Sequence, residues 1–421
     1  MLAITGGRLE TVTQGSIPHG TILIGDDGKI QAIGQDITTP PGCPIIDAAG
    51  QYVFPGFIDS HSHIGVFPDG EAQGAADGNE LTDPITAGVR IIDAFNTVDV
   101  ALQDAIQGGI TAAWVTPGSG NVIGGQGSTL RLFGQHIDDM ILKSPSGMKG
   151  AMGENPKRIY GGRQKLPSTR LGVAQVMRQA FLDAQHYRNE LEKDAHYQRN
   201  LDMDGLLLVL DRQIPFRTHA HTADDMLTAM RVAREFGVDH IIEHGTEAYK
   251  VVDELLRYNV PVSCGPALVA RVKVEVRGRS FKTPGILAKN GVKVSIITDH
   301  PVVPEQYLVV SAALAVAEGM EEQDAIRAIT KTPAELCGVA DRIGSLEVGK
   351  DGDLVIWDGH PFEYKSHVDK TIILGRVVYD RTYTPRRLQL TIRPRYRRAE
   401  ISKLIRIATS VGKSGRCVLR R

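Results

Sequence analysis

Residues 54–65, FPGFIDSHSHIG, lead from an apolar segment into a pair of histidines. In a strand, successive side chains point to opposite faces, so His61 and His63 point to one face and Ser62 to the other. Two imidazoles that converge at the end of a strand suit a metal ion better than an apolar core. The spacing by itself fits a loop with two solvated histidines equally well. The rest of the sequence has to decide between them.

Composition favours an ordinary globular protein with a large core and more than one domain. The chain has 421 residues, of which 42% are hydrophobic and 23% are charged. No apolar run reaches the length of a membrane span, and the N-terminus lacks the pattern of a signal peptide. The cysteines form no CxxC pair and are typical of free thiols: Cys43, Cys264, Cys337 and Cys417. We therefore expect a cytoplasmic protein with no membrane partner.

The C-terminal segment is strongly basic. Residues 381–421 carry thirteen Lys and Arg side chains against one acid, Glu400. Such a tail is compatible with nucleic-acid binding, but it lacks aromatic interleaving beyond Tyr383 and Tyr396 and contains no recognisable nucleic-acid module. We expect no specific nucleic-acid partner, and we treat residues 386–421 as an extension of unknown order.

Two segments, one near the N-terminus and one before the basic C-terminal segment, have the pattern of short strands. The segment GTILIGDDGKIQAIG, residues 20–34, shows two alternating stretches around Asp27-Gly28, which is a hairpin signal. A similar pattern returns in KTIILGRVVYD, residues 370–380. We therefore predict one small β-sandwich domain assembled from residues 1–52 and 340–385.

The middle of the chain, residues 53–339, alternates strand and helix patterns. Strands are predicted at 53–59, 111–116, 148–154, 215–221, 240–246, 260–266 and 293–299. Helices are predicted at 85–107, 171–192, 222–236 and 305–318. Repeated strand–helix units indicate a parallel (β/α)8 TIM-type barrel, with residues 128–134 as its eighth strand or part of an inserted hairpin. A doubly wound sheet is the alternative, but no GxGxxG follows the first strand.

Polar residues follow the apolar part of several predicted strands, where a barrel of this class places its functional groups. They are His61, His63, Glu154, His219, His221, His244 and Asp299. Any one of these histidines alone is more simply a hydrogen-bonded structural residue. The set is better explained by a metal site. Imidazole and carboxylate without thiolate suit Zn²⁺ or a similar divalent ion.

The predicted site suits hydrolysis. A bound metal lowers the pKa of a water molecule and polarises a carbonyl group. A neighbouring carboxylate, here Asp299, can take the proton from water and pass it to a leaving nitrogen.

At these residues the sequence resembles the amidohydrolase superfamily of metal-dependent hydrolases, and within it the imidazolonepropionase-like group. The matching segments occur in order: PGFIDSHSH (55–63), THAH (218–221), IEHGT (242–246), IITDHP (296–301) and AITKTPAELCGVADRIGSLEVGKDGDLVIWD (328–358). The resemblance implies a (β/α)8 barrel beside a small β-sandwich. It also implies metal ligands at His61, His63, His219 and His244, with Asp299 as ligand and general base.

The ligand that bridges two metal ions in many members of this superfamily is not identified by the motifs alone. Many members of this superfamily use a carboxylated lysine, and others use a glutamate on an earlier strand. The segment GMKGAMGENPKRIYG, residues 147–161, offers Lys149, Glu154 and Lys157. We predict Glu154 as the ligand because we place it at the end of a strand and Lys149 near the start. His300 stands where a serine is common, and His221 and His300 are predicted to contact substrate.

The function we predict is hydrolysis of a non-peptide C–N bond in a cyclic amide, an imidazolone-like compound or an N-acyl compound. One or two divalent ions are expected, Zn²⁺ first, with Fe²⁺ or Mn²⁺ as alternatives. A non-hydrolytic reaction at the same metal site, isomerisation or decarboxylation, stays open, and a non-catalytic scaffold is disfavoured by the full ligand set. The expected partners are a small-molecule substrate and further copies of the chain.

Overall fold

A computed structural model describes residues 1–70, 76–194 and 196–382 of the chain. The strands in chain order are β1 (Leu2–Glu10), β2 (Ser16–Ile24), β3 (Ile30–Gly34), β4 (Ile45–Asp47), β5 (Tyr52–Pro55), β6 (Phe57–Ser62), β7 (Ile110–Val115), β8 (Ile123–Arg131), β9 (Ile141–Ala151), β10 (Phe216–Ala220), β11 (His240–His244), β12 (Val262–Cys264), β13 (Val294–Ile296), β14 (Leu354–Trp357), β15 (Val368–Ile373) and β16 (Arg376–Asp380). The predicted extension at 386–421 lies outside the described residues.

The helices are α1 (Val100–Gln107), α2 (Ile137–Met140), α3 (Glu154–Gly162), α4 (Arg170–Lys193), α5 (Leu201–Leu210), α6 (Ala223–Phe236), α7 (Val252–Arg257), α8 (Lys282–Lys289), α9 (Leu308–Ala317), α10 (Glu322–Ala328) and α11 (Lys331–Leu336). Short 3₁₀ turns lie at Ile91–Asp93, Ala248–Lys250, Val274–Val276 and Glu305–Tyr307. Across the residues with described structure, no helix has both the length and the apolar character needed to cross a membrane.

The central sheet contains strands β6 to β13 in sequence order, so all seven strands predicted for the barrel have a counterpart in it. Its two ends approach each other: the Asp299 N–H donates to the His61 carbonyl at 3.2 Å, and the His63 N–H donates to the His300 carbonyl at 3.0 Å. The sheet is therefore nearly closed. The residues that follow its first and last strands meet at one rim.

The predicted all-parallel arrangement is wrong for one strand of this sheet. Strand β8 pairs antiparallel with both β7 and β9, whereas the other neighbours in the sheet are parallel. Parallel neighbours need a crossover of about a dozen residues or more, and segments 116–122 and 132–140 are shorter than that. The eighth strand therefore belongs to a hairpin within the sheet, and it begins earlier than the predicted 128–134.

Strands from the two chain ends share a second sheet. Its order is β16-β15-β14-β5-β1-β2-β3, with β4 paired to β1, and all eight strands are joined by hydrogen bonds into one sheet. It has its own apolar core, which includes Ile4, Leu9, Ile22, Val53, Leu354 and Ile372. Strand β5 pairs with β1 and β14, so the predicted barrel strand at 53–59 in fact divides between the two sheets. The domain boundaries at 52 and 340 stay a prediction.

Capping residues explain where two predicted helices begin. Thr169 accepts a hydrogen bond from the Gly172 N–H ahead of α4, and Thr222 accepts one from the Asp225 N–H ahead of α6. Helix α6 stops at Gly237, whose φ of 66° suits glycine.

The helix predicted at 85–107 is mostly wrong. Only α1, capped by Asp99, forms there. The preceding residues run beside β8 and hydrogen-bond to it: the Thr86 N–H donates to the Ile123 carbonyl at 2.9 Å, and the Gln126 N–H donates to the Val89 carbonyl at 2.9 Å. Hydrogen bonding to β8 therefore prevails over the helix that the spacing of the apolar residues predicts.

A buried ion cluster ties the central sheet to the start of β14. Arg131 on β8 is 3% exposed, and its guanidinium donates to Asp353 at 2.8 Å and also to Asp351. A charge taken out of water is tolerated only when it is paired, so this contact fixes how the C-terminal strands begin.

We expect Arg131→Met to destabilise the protein by about 3–5 kcal/mol, because it leaves the buried Asp353 carboxylate without its cation, whereas Asp351 keeps its ion pairs with Arg342 and Lys29. The free energy of unfolding in urea measures this. Arg90→Met is the control: its ion pair with Asp93 is exposed, so its loss should cost under about 1 kcal/mol. Equal losses of unfolding free energy in the two variants would show that the buried Arg131 cluster stabilises the protein no more than an exposed ion pair does.

Candidate metal centre

His61 and His63 meet at the rim as their spacing predicts. The Nε2 atoms of His61 and His63 lie 3.5 and 3.2 Å from Asp299 Oδ1. The opposite nitrogens are held by the protein: His61 Nδ1 is 2.6 Å from Glu243 Oε2, and His63 Nδ1 is 2.7 Å from the Thr116 carbonyl. Both partners are acceptors, so each Nδ1 carries the proton and each Nε2 presents a lone pair to the rim.

Three further histidines come together from β10 and β11. The ring of His219 lies 4.3 Å from that of His244 and 4.6 Å from that of His221, centroid to centroid. His244 Nδ1 donates to the Gly265 carbonyl at 3.0 Å, and His221 Nδ1 is 2.7 Å from Thr246 Oγ1. Both ring nitrogens of His219 are buried without any hydrogen-bond partner among the described residues. A buried imidazole with no hydrogen-bond partner on either nitrogen is suited to bind a metal ion.

These side chains form two overlapping sets of possible ligands. His219, His221 and His244 form one set, and His61, His244 and Asp299 form the other, with the ligand atoms of each set within 4.8 Å of one another. Burial lowers the pKa of all four of these histidines well below the ordinary value, which keeps them neutral at neutral pH. Neutral imidazole is the form that binds a metal. The donor set therefore fits a divalent ion.

The backbone departs from regular strand geometry at two of these positions. His244 has φ of 72° and Asp299 has φ of 55°, both in the left-handed region that non-glycine residues rarely adopt. Glu243 and His244 are adjacent in sequence, yet both side chains approach His61. The left-handed turn at His244 breaks the strand alternation and makes this possible. Such strain clusters at functional sites.

The structure reverses our placement of the two candidates for the bridging ligand. Lys149 lies near the end of β9, is buried, and its Nζ is 3.0 Å from His61 Nε2. Glu154 opens helix α3, with its backbone N–H bonded to Glu275 Oε1 at 2.7 Å, and belongs to neither ligand set. The prediction that Lys149 lies at the strand's start is wrong, because β9 ends at Ala151 and not at Glu154. Burial lowers the pKa of Lys149 to about 8.

A charged network beneath the site was missed by sequence reasoning. Glu243 is fully buried and accepts from Arg217 Nε at 2.6 Å as well as from His61. The Arg217 guanidinium also donates to the Ser60 carbonyl at 2.7 Å and stacks on Trp114 at 3.6 Å. One signal was available: Arg217 has the same strand parity as His219, so it had to point to the same interior.

We expect Glu243→Gln to weaken metal binding by about 10- to 100-fold, because its amide can no longer accept from both Arg217 and His61. Competition with a chromogenic chelator measures the affinity. Glu247→Gln is the matched control, since Glu247 lies four residues further on and its carboxylate accepts from the Ala223 N–H and from Lys250. Unchanged affinity in Glu243→Gln would remove Glu243 from the support of His61.

A cavity of about 430 Å³ opens above the clustered side chains. Its inner end is lined by His63, His219, His221 and Asp299. Part of its wall comes from the glycine-rich loop between β7 and β8, through Gly118, Ser119 and Gly120. His300 is 1% exposed and does not line it, since its Nδ1 accepts from the Glu305 N–H at 3.2 Å. Of the two residues predicted to contact substrate, only His221 faces the cavity.

Comparisons with known proteins agree with the site. Residues 52–378 match the model of the amidohydrolase family. The chain is 28% identical over 350 residues to amidohydrolase tasK of Hapsidospora irregularis, an alignment that spans 76% of this chain but only 36% of that protein. It is 27% identical to an imidazolonepropionase of Phocaeicola vulgatus, over 81% of this chain and 85% of the relative.

A crystal structure of an amidohydrolase from Thermotoga maritima superposes with a TM-score of 0.88. It is 42% identical in sequence and covers 90% of this chain and 100% of its own. The resemblance to the imidazolonepropionase-like group, predicted from the motifs, is confirmed. The family model spans most of the chain, and a candidate metal centre lies at the rim of the nearly closed sheet, so this chain belongs to the amidohydrolase family.

Proposed function

We propose that the chain hydrolyses an amide bond in a cyclic amide, an imidazolone-like compound or an N-acyl compound, with Asp299 as general base. Membership of the family makes it a metal-dependent hydrolase of non-peptide C–N bonds. The single observation that supports the proposal best is the convergence of His61 and His63 on Asp299 at the inner end of an open cavity.

The residues that would hold the metal are His61, His63, His219, His244 and Asp299. His221 belongs to one of the two ligand sets and is a further candidate. A donor set of imidazole and carboxylate suits Zn²⁺, with Fe²⁺ or Mn²⁺ as alternatives. The nearby thiol is unsuited to this role, because burial raises the pKa of Cys264 to about 12 and keeps it protonated.

Lys149 is the better candidate for a bridging ligand than Glu154. Its amine lies in the buried centre, 3.0 Å from His61 Nε2, whereas Glu154 lies on α3 outside both ligand sets. A neutral lysine amine can add CO₂ with loss of a proton to form a carbamate, which would supply carboxylate oxygens to a divalent ion. Carboxylated lysine is the form of bridge that the resemblance to this superfamily brings with it.

In this mechanism each residue has a separate task. When bound, a divalent ion supplies Lewis acidity, which polarises a carbonyl and makes water easier to deprotonate. The Asp299 carboxylate accepts the proton of the attacking water and delivers it to the leaving nitrogen, because an amide anion is too basic to leave unprotonated. The Nδ1–H bonds of His61 and His63 fix their rings. The apolar cavity wall limits the access of bulk water.

The cavity and the relatives both support this substrate class. A volume near 430 Å³ holds a small molecule. Similarity to imidazolonepropionases over most of the chain favours a cyclic amide or imidazolone ring first. The test is a screen of the metal-loaded protein against cyclic ureides, imidazolones and N-acyl amino acids, with ring opening of the cyclic compounds and amine release from the N-acyl compounds as the signals. Consumption of a substrate without release of amine or ring opening would favour isomerisation or decarboxylation.

We expect Asp299→Asn to lower turnover by at least about 100-fold while most of the metal is retained. The amide keeps the size and an oxygen atom but cannot accept the proton. Steady-state kinetics and metal analysis of the same sample measure the two effects. Asp253→Asn, an exposed change on α7, serves as control. Turnover within a few-fold of wild type would reject Asp299 as the base.

We expect Lys149→Met to lower both metal content and activity, and Glu154→Gln to leave metal content near wild type. The reason is that Lys149 lies 3.0 Å from His61, a member of one ligand set, whereas Glu154 belongs to neither set. Metal per chain, measured after growth in matched medium, gives the comparison, and added bicarbonate should raise the activity of wild type but not of Lys149→Met. The opposite pattern in the two variants would return the role to Glu154.

A further inference from the structure

The wall of the cavity beyond the candidate metal centre is largely apolar. Several separate segments of the chain contribute to it, through Phe67, Leu81, Ile159, Val269, Val272 and Val302. Val272 is 82% exposed and Val302 is 54% exposed, so part of this apolar surface meets water. A continuous patch of exposed apolar surface marks a binding site, whereas apolar residues that are scattered singly do not.

Two of these side chains form a continuous surface around the glycine-rich loop. A Cβ atom on Gly120 would lie 2.5 Å from Leu81 Cδ2 and 3.2 Å from Ile159 Cδ1. A larger residue at position 120 would therefore push into both side chains. Phe67 brings apolar surface to the metal centre itself, because its ring lies 5.4 Å from that of His63, centroid to centroid. An apolar group of a ligand would thus contact protein from the metal centre outward.

The uncharged polar residues of the lining already have hydrogen-bond partners. Asn155 Nδ2 donates to Ser119 Oγ at 2.9 Å, and Asn155 Oδ1 accepts from Lys273 Nζ at 3.3 Å. Asn79 Oδ1 accepts from the Gly120 N–H at 3.1 Å. A polar substituent on a ligand would have to compete with these bonds, and it would gain little because it also gives up its bonds to water.

The charges at one corner of the cavity cancel. Three basic and three acidic side chains act on one another there: Arg158, Arg170, Lys273, Glu154, Asp225 and Glu275. Lys273 Nζ lies 3.8 Å from Glu275 Oε2. Arg170 is paired with Asp225 at 2.9 Å. Arg158 is exposed, so water solvates its guanidinium. The recognition surface that is left is the apolar wall.

We propose that the substrate carries a bulky uncharged apolar substituent, held by the wall of Leu81, Ile159 and Val272, beside the amide that is cleaved. This inference rests on the proposed function in placing the amide at the metal centre. It narrows the substrate class, cyclic or N-acyl, to amides with an aliphatic or aryl substituent. Each methylene that leaves water for this wall tightens binding by about fourfold.

The test measures binding to the Zn²⁺-loaded protein by calorimetry and needs no turnover. The probes are acetohydroxamate, heptanohydroxamate and (2-methoxyethoxy)acetohydroxamate, which share one metal-binding group. The last two have chains of equal length, but two ether oxygens interrupt the second. We expect heptanohydroxamate to bind at least about 50-fold more tightly than acetohydroxamate and at least about tenfold more tightly than the ether. Affinity that does not depend on chain length would overturn the inference.

Variants of the wall locate the effect. Ile159→Asn and Val272→Ser should each lower the preference for heptanohydroxamate over acetohydroxamate several-fold, while binding of acetohydroxamate changes less than about twofold. Val274→Ser is the matched control, because Val274 lies two residues further along the same connection between β12 and α8, is 62% exposed and does not line the cavity. Equal losses in Val272→Ser and Val274→Ser would also overturn the inference.

The test stays decisive in two other situations. If Ile159→Asn fails to fold, Val272→Ser decides, since the Val272 side chain is exposed. Amide hydrolysis by a protein that shows no preference for the apolar probe counts against this inference alone. The preference in a protein that hydrolyses no amide counts against the proposed function alone.

Discussion

The buried carboxylate of Glu243 joins the interior of the central sheet to the candidate metal centre. It accepts from Arg217 on one side and from His61 on the other, each at 2.6 Å, with no exposure to water. An unpaired charge at this depth would cost several kcal/mol, so the three groups need one another. Because Arg217 is also held by the Ser60 carbonyl and the Trp114 ring, the orientation of His61 is fixed from the core outward.

This arrangement separates two kinds of electrostatic environment. Below the rim, the charges of Glu243 and Arg217 are buried and paired with each other. At the rim, neutral imidazoles present lone pairs, and His219 has no partner for either nitrogen among the described residues. The backbone strain at His244 and Asp299 also serves the candidate metal centre. A left-handed backbone conformation turns the side chains of adjacent residues toward it. A bound cation would offset the free-energy cost of this backbone strain and of the unpaired His219 nitrogens.

Sequence patterns predicted the positions of the seven barrel strands and the five histidines at their ends, because strand parity and burial follow directly from the order of residues. They failed where long-range pairing competed with local pattern. Residues 85–90 have helical spacing but lie along β8, and β8 itself runs antiparallel because its connections are too short for a crossover. The end of β9 could not be located from the segment 148–154, so the sequence did not predict that Lys149 lies beside His61 and that Glu154 lies on α3.

The order of the motifs by itself determined the family resemblance and most of the candidate ligands, since His61, His63, His219, His244 and Asp299 lie at or just beyond strand ends that a barrel gathers at one rim. The tertiary structure alone decided which groups meet. It placed Lys149 beside His61 and His300 outside the cavity. Such contacts depend on strand ends and loop paths over long sequence separations. Local spacing carries no information about those distances.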